Sequence, residues 1–273
     1  MDNSTALITG ANKGIGREIA RQLAAAGHTV YLGSRDRALG ERATEEIGGD
    51  VRLLVLDVAD AASIAAAARQ VEALDILVNN AGISGNGLPP DAEDVDTFRR
   101  IYETNVFGVV AVTNAFLPAL RCSAHPRIVN ISSGTGSLAA SAGQAAGAVV
   151  SSRQTSGSFA AYRSSKAALN ELTVLYANTL AADGFKVNAL APGLRRTDLN
   201  AVASASGGDP AEAAAGAVRR IAAQAAEQGG CDLLRRPEPA SDRLANLQQR
   251  AKSQERMILQ QQHGRVAVCG VNH

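Results

Sequence analysis

The chain has 273 residues and a mass of 28.1 kDa, long enough to bury a full core as one large domain or two small ones. Lys and Arg total 27 against 26 Asp and Glu, a balance that argues against a nucleic-acid binder. With 46% apolar and 19% charged residues the chain is built to fold, and no run of 18 apolar residues marks a membrane span.

The predicted elements alternate from the start. Thr5 to Thr9 is a short apolar run ended by Gly10, the pattern of a strand buried on both faces. A glycine loop follows, then a helix over Ile15 to Ala26, closed by Gly27. Thr29 to Leu32 reads as a strand, Arg37 to Ile47 as a helix and Val51 to Leu56 as a strand. A helix is expected over Ala61 to Ala73, capped by Asp60 or Ser63, then a strand over Asp75 to Val78. One long helix is expected from Thr97 to Ala119, a strand over Arg127 to Ile131, a helix over Ser158 to Ala182 and a strand over Lys186 to Leu190. Strand–helix alternation throughout predicts an α/β fold, a doubly wound parallel sheet of the Rossmann type in a single domain.

Two regions depart from this rhythm. Residues 137–158 are rich in Ser, Gly and Ala without periodicity and read as a loop with a short helix. After Arg219 the composition changes: eight of twelve Gln lie beyond residue 220, Leu244 to Leu259 has a weak amphipathic spacing, and Arg265 to Cys269 reads as a late strand. The expected organisation is a dinucleotide-binding domain over 1–219 and an atypical segment over 220–273. Cys122, Cys231 and Cys269 are far apart, with no disulfide framework and no zinc spacing, which suits a reducing cytoplasm. The N-terminus shows no basic, apolar leader. Four scattered His give no metal site, and the serines lack the G-x-S-x-G elbow of a hydrolase.

The chemistry-bearing pattern begins at Thr9-Gly10-Ala11-Asn12-Lys13-Gly14-Ile15-Gly16. Glycines between a strand and a helix let the backbone turn tightly, and the helix N-terminus offers N–H groups to a pyrophosphate. The spacing is not that of a Walker loop. Further on, Tyr162 and Lys166 stand four apart on a predicted helix and so share one face. An ammonium beside a phenol lowers the phenol's ordinary pKa of about 10, which suits it to proton transfer.

These segments, with Asn79-Asn80-Ala81-Gly82, Thr104-Asn105-Val106-Phe107-Gly108, Asn130-Ile131-Ser132-Ser133, Tyr162-Arg163-Ser164-Ser165-Lys166 and Pro192-Gly193 with Thr197, occur in the order of the short-chain dehydrogenase/reductase family, which the chain resembles over residues 5 to about 200. The Asn-Lys-Gly-Ile-Gly loop and the stretch KVNALAPGLRRTDL look most like carbonyl-reductase-type members. The resemblance implies NADPH-dependent reduction of an aldehyde, ketone or quinone. It implies Tyr162 as general acid and Lys166 as its partner and the holder of the nicotinamide ribose. Ser133, or less favourably Ser132, would be the hydrogen-bond donor to the carbonyl, and Asn105 the anchor of a relay water. Cofactor contacts are expected from Gly10, Asn12, Lys13, Gly14, Ile15 and Gly16, from Asp57 and Val58 around the adenine, and from Asn80, Ala81, Gly82, Pro192, Gly193 and Thr197. After the second strand, Ser34 or Gly33 stands where an acid would select NAD, and Arg35 follows, so a 2′-phosphate is expected on Arg35 and Lys13. Asp36 is expected to point into the next helix's first turn.

Ser133 and Tyr162 are 29 residues apart, longer than in compact family members, so 137–158 reads as an insertion beside the site. That insertion favours a monomer, since related insertions cover an assembly helix. Beyond Arg219 the family's glycine-rich segment and last strand are replaced. A changed reading frame and an extension that covers the cleft are the two accounts. The rivals for function are a 3-oxoacyl-thioester reductase of the same fold and a non-catalytic nucleotide sensor. No nucleic acid or membrane partner is expected.

Overall fold

In the structure, a computed structural model, residues 4–143, 157–199, 201–206 and 208–223 are described. Six parallel strands form one sheet in the order β3-β2-β1-β4-β5-β6: β1 Thr5–Ile8, β2 Thr29–Ser34, β3 Val51–Val55, β4 Ile76–Asn79, β5 Arg127–Ile131 and β6 Lys186–Leu190. The order reverses beside β1, which pairs with β2 on one side and β4 on the other. The crevice at such a reversal, outside the carboxyl ends of the strands, is where this architecture binds ligands.

The pleat of β1 explains the three layers. Ala6 and Ile8 face one side, with Ile19 and Leu23 of α1 (Gly14–Ala25) and Ala43 of α2 (Arg37–Ile47). Leu7 faces the other, with Ile64 of α3 (Ala61–Ala68) and Val112 and Phe116 of α5 (Gly108–Leu120). Both faces are apolar, so the strands read as continuous hydrophobic runs. The remaining helices are α4 (Val95–Tyr102), α6 (Leu138–Ser141), α7 (Ala160–Thr179), α8 (Ala201–Ser206) and α9 (Pro210–Ala223). Ala214, Ala217 and Ile221 of α9 join the first core layer, and Gln22 of α1 donates to the Ala211 carbonyl at 2.9 Å.

Two expected helices are corrected. The span Thr97 to Ala119 is not continuous: α4 ends at Tyr102, a π-helical turn occupies Glu103–Phe107, and α5 starts at Gly108. An apolar period cannot register one extra residue in a turn. Helix α3 stops at Ala68 and not Ala73, because the chain turns to bury Val71 and Leu74, whose N–H donates to the Ala119 carbonyl at 3.1 Å. Asp60 caps α3 by accepting from the Ala62 N–H, whereas Ser63 accepts from the Asp57 N–H. The expected insertion is described only at its ends: Ser137 caps α6, and Gly157 lies against Pro89 and Pro90. Residues 144–156 and the segments read as a helix over 244–259 and a strand over 265–269 lie outside the described residues. No described helix is long and apolar enough to cross a membrane.

Candidate active site

The glycine loop follows β1 and leads into α1. Gly10 and Gly14 have φ of 62° and 57°, a region an L side chain enters only with strain. Gly10 also lies against β4's exit, since a Cβ there would stand 2.9 Å from Ala81 Cα. At Gly16 a Cβ would stand 2.4 Å from Asn80 Nδ2. Asn80 donates to the carbonyls of Thr9 and Gly10 at 2.9 and 3.0 Å, and Thr9 Oγ1 accepts from the N–H groups of Asn80 and Ala81, each at 3.0 Å. The loop and the NNAG segment are thus one interlocked unit. Lys13 at the N-cap of α1 supplies no side-chain cap, and the first turn carries no acid. Its N–H groups remain available to an anion, which fits the pyrophosphate of a dinucleotide. Asn12 is half-buried beside them.

Loops after the other strands complete the crevice. Asp36 accepts from the Leu39 N–H at 2.9 Å as the cap of α2, and Ser34 donates to the Asp36 carbonyl, while Arg35 is exposed. Asp57 accepts from the Ala59 N–H at 3.0 Å, and the Val58 carbonyl lies against Gly108. Pro192 and Gly193 follow β6, Gly193 with φ of 74°. The loop reaches back across the crevice: a Cβ on Gly14 would meet Thr197 Cγ2 at 3.3 Å, and Lys13 Nζ pairs with Asp198 at 3.1 Å in solvent.

Ser133, Tyr162, Lys166 and Asn105 come from three different elements and converge. Ser133 leaves β5, and its hydroxyl acts on the Tyr162 phenol, favouring the phenolate, and lies 2.9 Å from Thr135 Oγ1. Ser132 instead points inward, fully buried, and donates to Asn170 at 2.6 Å. Lys166 Nζ is buried, donates to the Ile131 carbonyl at 2.7 Å and stands 5.7 Å from the Tyr162 ring centre. The close approach is permitted by Gly136, where a Cβ would stand 2.8 Å from the Lys166 carbonyl carbon. Asn105 sits in the π-turn, fully buried, accepting from the Ile83 N–H and donating to the Ile83 carbonyl, each at 2.9 Å. Its amide also donates to Ser165 Oγ at 3.0 Å, and Ser165 donates to the Tyr162 carbonyl at 2.7 Å. Gly82 faces this group, a Cβ there lying 3.3 Å from Asn105 Oδ1 and 3.7 Å from Lys166 Nζ.

The electrostatics correct one expectation. Burial pushes the Tyr162 phenol above its ordinary value, and Ser133 pulls the other way without reversing it, so the net direction is opposite to the lowering expected from the neighbouring ammonium alone. Burial instead acts on Lys166, lowering its pKa to about 8.

Sequence reasoning missed several supports. Ser165 lies three residues after Tyr162, within the reach of a helical back-bond, a spacing that was legible. Thr9 shows as a hydroxyl at a strand end beside glycine. Phe159 gave no signal. It is the one non-glycine residue with positive φ among those described, at 59°, and it precedes α7 directly. Its N–H and that of Ala160 donate to the carbonyls of Gly87 and Leu88, each at 3.1 Å, and its ring lies where a Gly87 side chain would start.

Comparison with known proteins places this arrangement. The family model described as short chain dehydrogenase matches residues 4–206. A short-chain dehydrogenase of Penicillium roqueforti is 37% identical over 203 residues, covering 70% of this chain and 79% of that one. The 3-oxoacyl-(acyl-carrier-protein) reductase of Escherichia coli is 34% identical over 203 residues, covering 72% and 76%. Among solved structures, a gluconate 5-dehydrogenase from Burkholderia cenocepacia in complex with NADP and tartrate superposes with a TM-score of 0.70 at 29% identity, covering 84% of this chain and 92% of that one. The chain belongs to the short-chain dehydrogenase/reductase family, a family of oxidoreductases.

Proposed function

We propose that the protein reduces a carbonyl compound, an aldehyde, ketone or quinone, to an alcohol with NADPH. The observation that carries this reading is the convergence of Ser133 and Tyr162 with the buried Lys166 ammonium, 5.7 Å from the Tyr162 ring centre and held by the Ile131 carbonyl at 2.7 Å. A phenol kept above its ordinary pKa is neutral at physiological pH and so carries the proton a reduction consumes. Ser133 positions the carbonyl oxygen by donating to it and stabilises the charge that develops there. Tyr162 then delivers its proton to that oxygen. Lys166, charged below about pH 8, stabilises the phenolate left behind. Asn105 is locked on both sides of Ile83, and its role is to order the proton path behind Lys166. The reduced nicotinamide, when bound, supplies the hydride; α1's open N-terminus would hold its pyrophosphate, Asp57 and Val58 would flank the adenine, and Lys166, Pro192, Gly193 and Thr197 would surround the nicotinamide end.

NADPH is favoured over NADH because no acid stands at the end of β2. Asp36 is committed to capping α2, Ser34 is bound to its carbonyl, and Arg35 is exposed to receive a 2′-phosphate. Lys13 is a second cation, shared with Asp198. Each charge-assisted contact is worth roughly 1.5–3 kcal/mol, so one lost contact costs about tenfold or more. The test follows absorbance loss of NADPH and NADH with a panel of aldehydes, ketones and quinones. Wild type is expected to prefer NADPH at least tenfold in kcat/KM, and Arg35→Asp to shift that preference toward NADH. Equal use of the two cofactors by wild type would overturn the assignment.

A further inference from the structure

Eight large hydrophobic side chains are exposed among the described residues, and four of them, Leu88, Leu138, Leu194 and Leu199, lie on the loops that follow β4, β5 and β6. These are the strand ends that deliver Gly82, Ser133 and Pro192 to the candidate site. Leu138 is 77% exposed, Leu194 48%, Leu88 40% and Leu199 37%, so each shows a large part of its side chain to water. Exposed leucines on loops that all lead to one site point to a binding surface, whereas apolar residues scattered over unrelated elements need no explanation.

The loops are pinned, so the leucines are held in place. Ser84 Oγ donates to the Leu199 carbonyl at 2.7 Å, joining the loops after β4 and β6. Phe159 and Ala160 hold the carbonyls of Gly87 and Leu88 at 3.1 Å, which ties the first loop to the entry of α7, three residues ahead of Tyr162. Arg163, the residue after Tyr162, donates to Ser141 Oγ at 2.8 Å and fixes the end of α6, which carries Leu138. Charge is absent from the parts of the first two loops nearest the strand ends, whereas Asp91, Glu93 and the α4 cap Asp94 follow Pro90 further along the loop after β4. Residues 79–90 and 131–143 contain no acid or base. In the third loop Arg195 is turned to Glu212 at 3.0 Å and Asp198 to Lys13, while Arg196 is exposed.

We propose that this rim makes the protein selective for carbonyl compounds with an extended apolar body, with Leu88, Leu138, Leu194 and Leu199 as specificity-determining residues. The inference rests on the reductase reading above. A polyol laid on this rim would lose water from its hydroxyls against leucine without replacement hydrogen bonds. A coenzyme A thioester would bring several phosphate charges to a rim whose described exposed cations are Arg196 and the Asp198-paired Lys13, with Asp91, Glu93 and Asp94 on the loop after β4. An alkyl or ring system, by contrast, gains from every methylene it buries there, at about fourfold in affinity per methylene.

The experiment uses the full chain with NADPH and the methyl ketones from butan-2-one to decan-2-one, with fructose and acetoacetyl-coenzyme A as the polar arms. In the middle of the ketone series kcat/KM is expected to rise roughly three- to fourfold per methylene, with both polar arms at least about 100-fold below octan-2-one. Leu138→Asp and Leu88→Asp should each flatten that slope while the Kd for NADPH stays within about twofold. A flat series in wild type, a polar arm that wins, or Asp variants that keep the full slope would overturn the proposal. Calorimetric binding of octan-2-ol and of mannitol to the protein saturated with oxidised cofactor reads the rim without turnover. A protein that turns over nothing in any arm defeats the reductase reading, and octan-2-ol that binds no tighter than mannitol defeats this one.

Discussion

At the scale of single residues, the site is an exchange of burial costs between Tyr162 and Lys166. Removing the phenol oxygen removes the proton donor and leaves the glycine loop untouched, so Tyr162→Phe should lower turnover by about 10²–10⁴-fold with NADPH binding nearly intact. A variant that keeps more than about a tenth of the wild-type rate, measured in steady state beside cofactor titration, would remove Tyr162 from the role. The Lys166 ammonium gives a second prediction. Its pKa of about 8 lies below the ordinary lysine value because burial penalises the charged form. The rate of reduction should therefore fall as pH rises through about 8, since the ammonium that stabilises the phenolate is lost. Over the window between about 8 and 10.5 the unfolded chain binds more protons than the folded one, so this group's contribution to stability increases with pH there. A pH–rate profile for reduction that is flat between about 7 and 9 would contradict the assignment. The residues themselves were legible, because Tyr162 and Lys166 share a helical spacing and Ser133 ends a strand. The direction of the phenol's shift was not, because spacing reports a neighbouring charge and carries no information on how deeply both groups are buried.

At the scale of elements, β1 to β6 and most helices follow from apolar runs, glycine stops and Asp caps. The π-turn at Glu103–Phe107 does not, although it buries Asn105. Its single extra residue leaves the apolar stripe of the flanking helices unbroken to the eye, and such turns recur at functional sites. The entry to α7 was equally silent, because a phenylalanine is the last residue a propensity argument would put at φ of 59°. The two 3.1 Å bonds to Gly87 and Leu88 and the ring against Gly87 hold it there. Phe159→Ala loses the ring and keeps the unfavourable backbone, whereas Phe159→Gly loses the ring and relieves the backbone. The glycine variant should therefore be the more stable of the two by about 1 kcal/mol, read from denaturation midpoints at equal slope. An alanine variant of equal or greater stability would show that the backbone at 159 is unstrained.

At the scale of the whole molecule, the doubly wound parallel sheet was legible from alternation, since consecutive βαβ crossovers have few allowed arrangements, whereas the order β3-β2-β1-β4-β5-β6 came from the structure. Assembly was not, because it depends on which surface stays apolar after folding. We expect a monomer of 28.1 kDa by light scattering, on the strength of the long segment between Ser133 and Tyr162. Val95 on α4, Phe107 in the π-turn and Leu175 on α7 are exposed, and a larger mass would direct attention to them. A mass near four chains would overturn the expectation.

The pairing of β1 with β4 has a consequence for synthesis. Ala6, Leu7 and Ile8 align with Ile76, Leu77 and Val78, which the ribosome makes 70 residues later. At about 5–20 residues per second, roughly 4–14 s separate the emergence of the two strands. Once β2 has been made, β1 can pair only with it until β4 emerges, and its other edge, three apolar residues long, presents unpaired main-chain groups. The first 75 residues are thus a half-sheet with an adhesive side, and crowding of translating ribosomes on one message brings such sides together. Slow translation of the stretch before Asp75 lengthens that exposure, so synonymous codon choice in residues 50–75 should alter the soluble yield of a protein whose sequence has not changed.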